Sequence, residues 1–327
     1  MLDRIERYLQ SWKIPSSSAP FLLPGGEQVK AGFSHVERLI DFFDRERLCR
    51  QSLIVALGGG AVLDVAGFAA ALVHRGVRLL RLPTTSVAQG DSGIGVKNGI
   101  NFAEEKNFLG VFAPPHGVLC DLTFLQTLDG GLLADGLAEA IKVAMIKNGS
   151  FFHEIEQQAL EIEERNWPVI ESIIRQSGEI HYRHIATSGD PFERGSARPL
   201  DFGHWAGHRL EKMSGYSIRH GEGVALGIAL DTVYAQIQGM LAEQERDRVL
   251  SLFEKLHLPV YHPLMEKEDD SGVLEVLGGL NDFREHLGGE LSIPLPLRIG
   301  EAVEFHEMSA DDVKAAISFL KAFSRHS

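Results

Sequence analysis

The stretch SLIVALGGG, residues 52–60, constrains the chain more than any other. A continuous apolar run of strand length reads as a strand buried on both faces, and it runs straight into three glycines. AVLDVAGFAAALVHRG follows, small and apolar residues that read as a helix packed closely on that strand. LLRLPTTSVAQGDSG then gives a second strand ending in a polar loop. Strand, helix, strand is the opening of an α/β sheet, in which ligands bind outside the carboxyl ends of the strands. Gly58, Gly59 and Gly60 let backbone N–H groups approach a pyrophosphate at a helix N-terminus. GGGAVLD is not GxGxxG, however, and a tight strand-to-helix turn alone would look the same.

Upstream, residues 1–13 read as a short amphipathic helix, PSSSAP as a connector, and FLLPGGEQVK as a short strand entering a Pro-Gly-Gly turn. From about Asp121 the texture becomes helical through GLLADGLAEAIKVAMIKNG, WPVIESIIRQSGEIHYRHIA and RHGEGVALGIALDTVYAQIQGML. The pattern predicts a nucleotide-binding α/β domain over 1–118 and a wholly helical domain over 119–327.

The chain carries 32 basic against 45 acidic residues, a formal charge of −13, which argues against non-specific nucleic-acid binding and against a polybasic membrane surface. An acidic protein that binds an anion must gather its cations in one cleft. Two lysines, Lys97 and Lys106, occur with Asn107 in DSGIGVKNGINFAEEKNFLG, and ammonium charge with amide donors suits a phosphate; a surface loop with lysines is the plainer alternative. Cys49 and Cys120, far apart, suggest neither a disulfide framework nor a thiolate zinc site. With no signal-peptide pattern and no apolar run of about 18 residues, a cytoplasmic setting without a membrane span is expected.

Glu139 and Lys142 lie three apart on one face of an apolar helix, where they could form a structural ion pair, or a metal ligand beside a substrate-binding cation. His204 and His208 are four apart, and His220 opens a helix. Catalytic zinc takes three nitrogen and oxygen ligands and leaves one position open. Glu139 with two of the three histidines meets that count, and spacing alone does not choose the two.

PGGE, GGGAVLDVAGFAAA, HRGVRLLRLPTT, DSGIGVKNGIN, GLAEAIK, DFGHWAGH and RHGEGVA occur in one order. By these motifs the chain resembles the 3-dehydroquinate synthase superfamily of sugar-phosphate cyclases over roughly residues 24–320. The resemblance implies a Rossmann-like NAD domain followed by an all-α metal domain, assembled as a homodimer. It implies zinc, or cobalt in its place, on Glu139, His204 and His220, and His208 at the leaving phosphate. NAD would meet Gly58, Gly59, Gly60, Asp64, Thr84 and Thr85, with Glu27 and Lys30 from the PGGE segment. Asp91 would contact substrate hydroxyls, and Lys97, Lys106, Asn107, Lys142 and Arg75 would line the sugar-phosphate site. The chemistry implied is transient oxidation by NAD, β-elimination of phosphate, return of the hydride and an intramolecular aldol closure.

Three departures from the family pattern carry information. Dehydroquinate synthases carry an Arg and an Asn ahead of the first histidine of this helix, where this chain has Ala197, with Arg198 one place on, and Asp201. A substrate carboxylate without that guanidinium would lose a contact of about 1.5–3 kcal/mol. Asp201, and the lack of a lysine near Phe283 and Arg284, resemble the heptulose 7-phosphate cyclases that make valiolone-type rings, whereas His208 is a residue those cyclases generally lose. The expected substrate is a heptulose 7-phosphate, with a true 3-dehydroquinate synthase, a metal-dependent polyol dehydrogenase and a catalytically silent binding module as alternatives. Family members also carry a strand–helix–strand section before PGGE, so an NAD domain short at its N-terminus is expected.

Overall fold

The computed structural model describes residues 2–13, 19–103, 105–187, 192, 199–286 and 289–325. Ala197, Arg198 and most of the PSSSAP connector lie outside the described residues. The chain forms two compact units, one of Met1–Thr84 with Val96–Asp121, the other of Thr85–Gly95 with Leu122–Ser327. The loop Thr85–Gly95, placed by sequence in the first domain, thus packs with the helices of the second. Among the described residues no helix is long and apolar enough to cross a membrane.

In the first unit, helices α1 (Leu2–Ser11) and α2 (Ser34–Arg45) precede strand β1 (Leu53–Gly58), helix α3 (Gly60–Leu72) and strand β2 (Arg78–Pro83). Strands β3 (Lys97–Phe102) and β4 (Glu105–Phe112) form a separate antiparallel ribbon, and β5 (Gly117–Val118) completes a parallel sheet of order β1-β2-β5. The register sets Gly58 beside Pro83, so the glycine turn and the PTT loop leave adjacent strands at the same end. FLLPGG is not a strand; Pro24 lacks a donor, Gly26 takes a φ of 83°, and the chain makes a 3₁₀ turn at Glu27–Lys30 instead. Helix α3 lies close to the ribbon because a Cβ at Gly67 would fall 1.7 Å from Asn98 Oδ1.

The second unit contains α4 (Gly130–Lys147), α5 (Gly149–Gln157), α6 (Ala159–Glu163), α7 (Trp167–Thr187), α8 (His204–Met213), α9 (His220–Ile237), α10 (Glu243–Lys255), α11 (Gly278–His286) and α12 (Ala310–Phe323). Expected to be wholly helical, it also holds an antiparallel hairpin of β6 (Ile293–Arg298) and β7 (Glu301–Phe305). Residues 293–296 are all buried, and Pro294 and Pro296 lack the N–H a helix interior requires, so IPLPLR extends. Helix α9 is mostly apolar and buried from Gly223 to Ala235, and α4, α8, α10 and α12 pack around it.

Candidate active site

The charged residues of the second unit converge where α4, α8 and α9 touch. Asp129 caps α4, its Oδ1 accepting from the N–H of Leu132 at 2.8 Å. Helix α4 then carries Asp135, Glu139 and Lys142 inward, all buried. Helix α9 reaches α4 without intervening side chains, since a Cβ at Gly221 would sit 2.2 Å from the Cα of Asp135. Arg219 adds an ion pair, its Nε donating to Asp135 Oδ2 at 3.1 Å. Burial pushes the Asp135 carboxyl up to about 6 against the pull of Arg219. Helices α8 and α9 meet through Gly207 and Gly223, and Gly203 lies against Gly227. These glycines bring His204 and His220 to Glu139.

Glu139 Oε1 lies 3.1 Å from His220 Nε2 and 3.9 Å from His204 Nε2. His204, His208 and His220 present ligand atoms all within 4.8 Å of one another. His204 Nδ1 faces the carbonyl of Phe202 at 3.0 Å and His220 Nδ1 faces Glu211 Oε1 at 2.9 Å. Carbonyl and carboxylate oxygens only accept, so each Nδ1 carries the proton. Burial first, then the nearby Lys142, holds His204 well below the ordinary histidine value, so its Nε2 presents a lone pair. Both oxygens of Glu139 are buried without a well-directed hydrogen bond, although the ammonium of Lys142 stands 2.5 Å from Oε2. A carboxylate and two imidazole nitrogens converging in this way suit a divalent cation. Ligand atoms about 2.0–2.1 Å from tetrahedral zinc stand about 3.3 Å apart, and the separations of 3.1 and 3.9 Å bracket that value. The donor set fits zinc.

Lys142 also donates to Asp91 Oδ2 at 2.9 Å, and His181 Nε2 lies 3.4 Å from Asp91 Oδ1. Burial alone would raise Asp91, but the Lys142 ammonium, His181 and side-chain hydrogen bonds together outweigh it and hold the carboxyl well below its usual range. Burial would likewise lower Lys142, and Asp91 with Glu139 holds it above its ordinary value. Asp91 reaches this position because the turn Ala88–Ser92 packs on α4 and α7. A Cβ at Gly136 would fall 2.3 Å from that of Ser86, and Ser177 Oγ donates to the carbonyl of Gly90 at 3.1 Å. Thr85 precedes this segment, its Oγ1 accepting from the N–H of Ala88 at 3.3 Å. Asp201 stands half-buried in the turn before α8.

In the first unit, Gly59 is the N-cap of α3, and the N–H of Thr84 donates to the carbonyl of Gly58 at 2.9 Å. Buried Lys30 donates to Asp64 Oδ2 at 2.7 Å and to Asn107 Oδ1. Glu27 Oε1 accepts from Asn101 Nδ2 at 3.0 Å. One group thus joins residues expected at the dinucleotide to one expected at the phosphate. Lys97 begins β3, exposed, and Lys106 lies half-buried in β4. Arg75 is exposed in the turn after α3, and among the described residues no hydrogen bond or ion pair joins it to Lys30, Asp64 or Asn107.

Sequence reasoning passed over Glu211, Asp231 and His181. Glu211 stands at helical spacing from His204 and His208, a signal that was available. Asp231 accepts from the Trp205 Nε1–H at 2.8 Å and from the N–H of Gly203 at 3.1 Å, a pairing across two helices that no local pattern announces.

Residues 20–134 match the model of the 3-dehydroquinate synthase N-terminal domain and residues 136–277 that of its C-terminal domain. A 2-epi-valiolone synthase of Actinosynnema mirum is 35% identical over 297 residues, covering 90% of this chain and 76% of that protein. A 3-dehydroquinate synthase of Desulforamulus reducens is 34% identical over 297 residues, 90% of this chain and 80% of that protein. The solved structure of a 2-epi-5-epi-valiolone synthase from Streptomyces hygroscopicus subsp. jinggangensis, with NAD+ and Zn2+ bound, superposes with a TM-score of 0.90 at 31% identity. It covers 98% of this chain and 87% of that one. Motifs, fold and matches over both units agree: the chain belongs to the 3-dehydroquinate synthase family.

Proposed function

We propose that the protein is an NAD- and zinc-dependent sugar-phosphate cyclase that converts a heptulose 7-phosphate to a carbocycle with loss of inorganic phosphate. The observation that carries this reading is the convergence of Glu139, His204 and His220 beside the ion-paired Lys142 and Asp91. Relatives named as valiolone synthases and 3-dehydroquinate synthases, one with NAD+ and Zn2+ bound, support it. When bound, NAD supplies reversible hydride transfer and zinc supplies a Lewis acid for the sugar oxygens.

Glu139, His204 and His220 hold the metal. Asp91, kept ionised by Lys142, accepts hydrogen bonds from sugar hydroxyls, and Lys142 stays cationic to meet developing negative charge on oxygen. His208 serves the phosphate as donor and acid. In the first unit, the parallel sheet and the helix that follows Gly58-Gly59-Gly60 support a Rossmann-like dinucleotide site, with Lys30 holding Asp64 in place. Lys97, Lys106 and Asn107 bind phosphate oxygens. The homodimer and the cytoplasmic setting implied by family resemblance accompany this reading.

The substrate class rests on Asp201. An anionic side chain there repels a substrate carboxylate and accepts from neutral hydroxyls, and Ala197 in the sequence supplies no guanidinium. Purified protein with zinc and NAD is offered sedoheptulose 7-phosphate and 3-deoxy-arabino-heptulosonate 7-phosphate in parallel. Phosphate release with the higher kcat/KM on sedoheptulose 7-phosphate, and no net NADH, is expected. Preference for the deoxy acid would make the protein a 3-dehydroquinate synthase. Net NADH from a polyol without phosphate release would make it a dehydrogenase.

A further inference from the structure

We infer that Glu211 is a positioning residue of the metal centre: it fixes the tautomer and direction of His220 and strengthens that imidazole's hold on the ion. The inference rests on the metal-site reading above. Glu211 lies on α8 three residues after His208 and seven after His204, hence one and two turns along the same face. It is 2% exposed, a position in which an ionised carboxylate costs several kcal/mol unless it is paired. Its stem runs against the backbone of α9, where a Cβ at Gly223 would stand 3.2 Å from Glu211 Cγ and 3.0 Å from the carbonyl oxygen of Gly207. Gly223 is three residues after His220, so the glycine that lets the helices meet also makes the space the carboxylate occupies.

From there Glu211 Oε1 accepts from His220 Nδ1 at 2.9 Å, while Nε2 of the same ring looks toward Glu139 Oε1 at 3.1 Å. The imidazole therefore stands between two carboxylates, one on each nitrogen. Glu211 holds the proton on Nδ1, so that the Nε2 lone pair is left to bind a cation held between it and Glu139. A carboxylate behind a histidine in this way makes the far nitrogen a better donor to a cation, and losing such a partner typically weakens metal binding about 10- to 100-fold. His204 is backed differently, by the carbonyl of Phe202 at 3.0 Å. The two histidines thus differ in the charge behind them, and the ionic backing belongs to His220.

The test measures Zn2+ affinity by competition with a chromophoric chelator for wild type, Glu211→Gln, Glu211→Asp and Glu139→Ala. It also records the visible d–d spectrum of each protein with Co2+ in the site. Wild type is expected to bind one zinc, with Glu139→Ala showing the largest loss. Glu211→Gln should bind about 10- to 100-fold more weakly with altered Co2+ bands, while its metal-free thermal midpoint stays near wild type. Glu211→Asp keeps the charge, shortens the reach by one methylene and guards against misfolding of the Gln variant; it too should bind more weakly with shifted bands. Wild-type affinity and an unchanged Co2+ spectrum in both Glu211 variants, with wild type binding zinc, overturn the inference and leave the metal site standing. A wild-type protein that binds no zinc overturns both.

Discussion

The two units differ in the carboxylates they bury, although the first also buries the cations Lys30 and Arg81. In the second, Glu139, Lys142, Glu211 and Asp231 are each no more than 2% exposed, set among helices whose shared core includes Trp205, Tyr234 and Phe253. In the first, the core is a small cluster around Val36, Phe43, Val65 and Phe68, while Leu53 and Val55 of β1 stand about half exposed at 47% and 57%. Its residues expected to meet a dinucleotide come from a turn, a loop and the second turn of a helix. Fixing several ionised groups within a few ångströms requires rigid elements, and helices in backbone contact supply them. Holding a pyrophosphate requires free backbone N–H groups at a turn, which a loop can present with little buried support.

The sharpest way to break that comparison is to remove one lysine from each unit. Lys142→Met leaves Asp91 and Glu139 without their buried cation, a loss of about 3–5 kcal/mol in the metal-free protein. Lys30→Met removes a buried ammonium whose partner Asp64 is 21% exposed and regains water, so a loss of about 1.5–3 kcal/mol is expected. Chemical denaturation of both variants gives the two numbers. Equal costs would mean that burial of the partner does not set the value of these pairs.

A smaller effect is expected where a single methyl group is forced between helices. Gly221→Ala must displace α9 from Asp135, and overpacking of this kind costs about 1–3 kcal/mol. The same change at Gly25 of the first unit meets nothing within 4 Å, and a shift within about 0.5 kcal/mol is expected. Differential scanning calorimetry measures both. Because α9 carries His220, Gly221→Ala should also weaken zinc binding; a destabilised variant with wild-type zinc affinity would show that the close approach serves packing alone.

How much of this was legible in the sequence follows from where each signal lies. The strand entering Gly58-Gly59-Gly60, the helix periodicity around Glu139 and Lys142, and the spacing of His204 from His208 are local patterns, and the structure contains the strand and the helices they predict, although β1, expected to be buried on both faces, leaves Leu53 and Val55 about half exposed. The second partner of Lys142 was not legible, because Asp91 is 51 residues away and arrives through contacts at Ser86–Gly136 and Gly90–Ser177. The glycines of RHGEGVALG carry no periodicity that tells a helix capable of backbone contact from a merely flexible one. The β6–β7 hairpin was missed because IPLPLR is short and its prolines read more readily as a loop.

A pH-dependent effect concerns Asp231, the buried carboxylate behind the first turn of α8. Burial pushes it up from the ordinary 3.8 to about 7, although the N–H groups of Trp205 and Gly203 pull the other way. Between those two values the folded protein keeps a proton that the unfolded chain has released. The stabilisation from this group is therefore complete below about pH 4 and is lost as pH rises through about 7. Asp231→Asn cannot ionise, so the stability advantage of wild type over the variant, measured by denaturation of the metal-free proteins, should shrink steadily from pH 4 to pH 7.5. A difference constant across that range would mean that the carboxyl titrates alike in both states. A carboxylate that costs stability at neutral pH needs another reason to be there, and its two contacts supply one: Gly203, held at a φ of 76°, and Trp205 flank His204 on either side. The second unit gives up stability to fix one turn of backbone, whereas the first unit buries no carboxylate among the described residues.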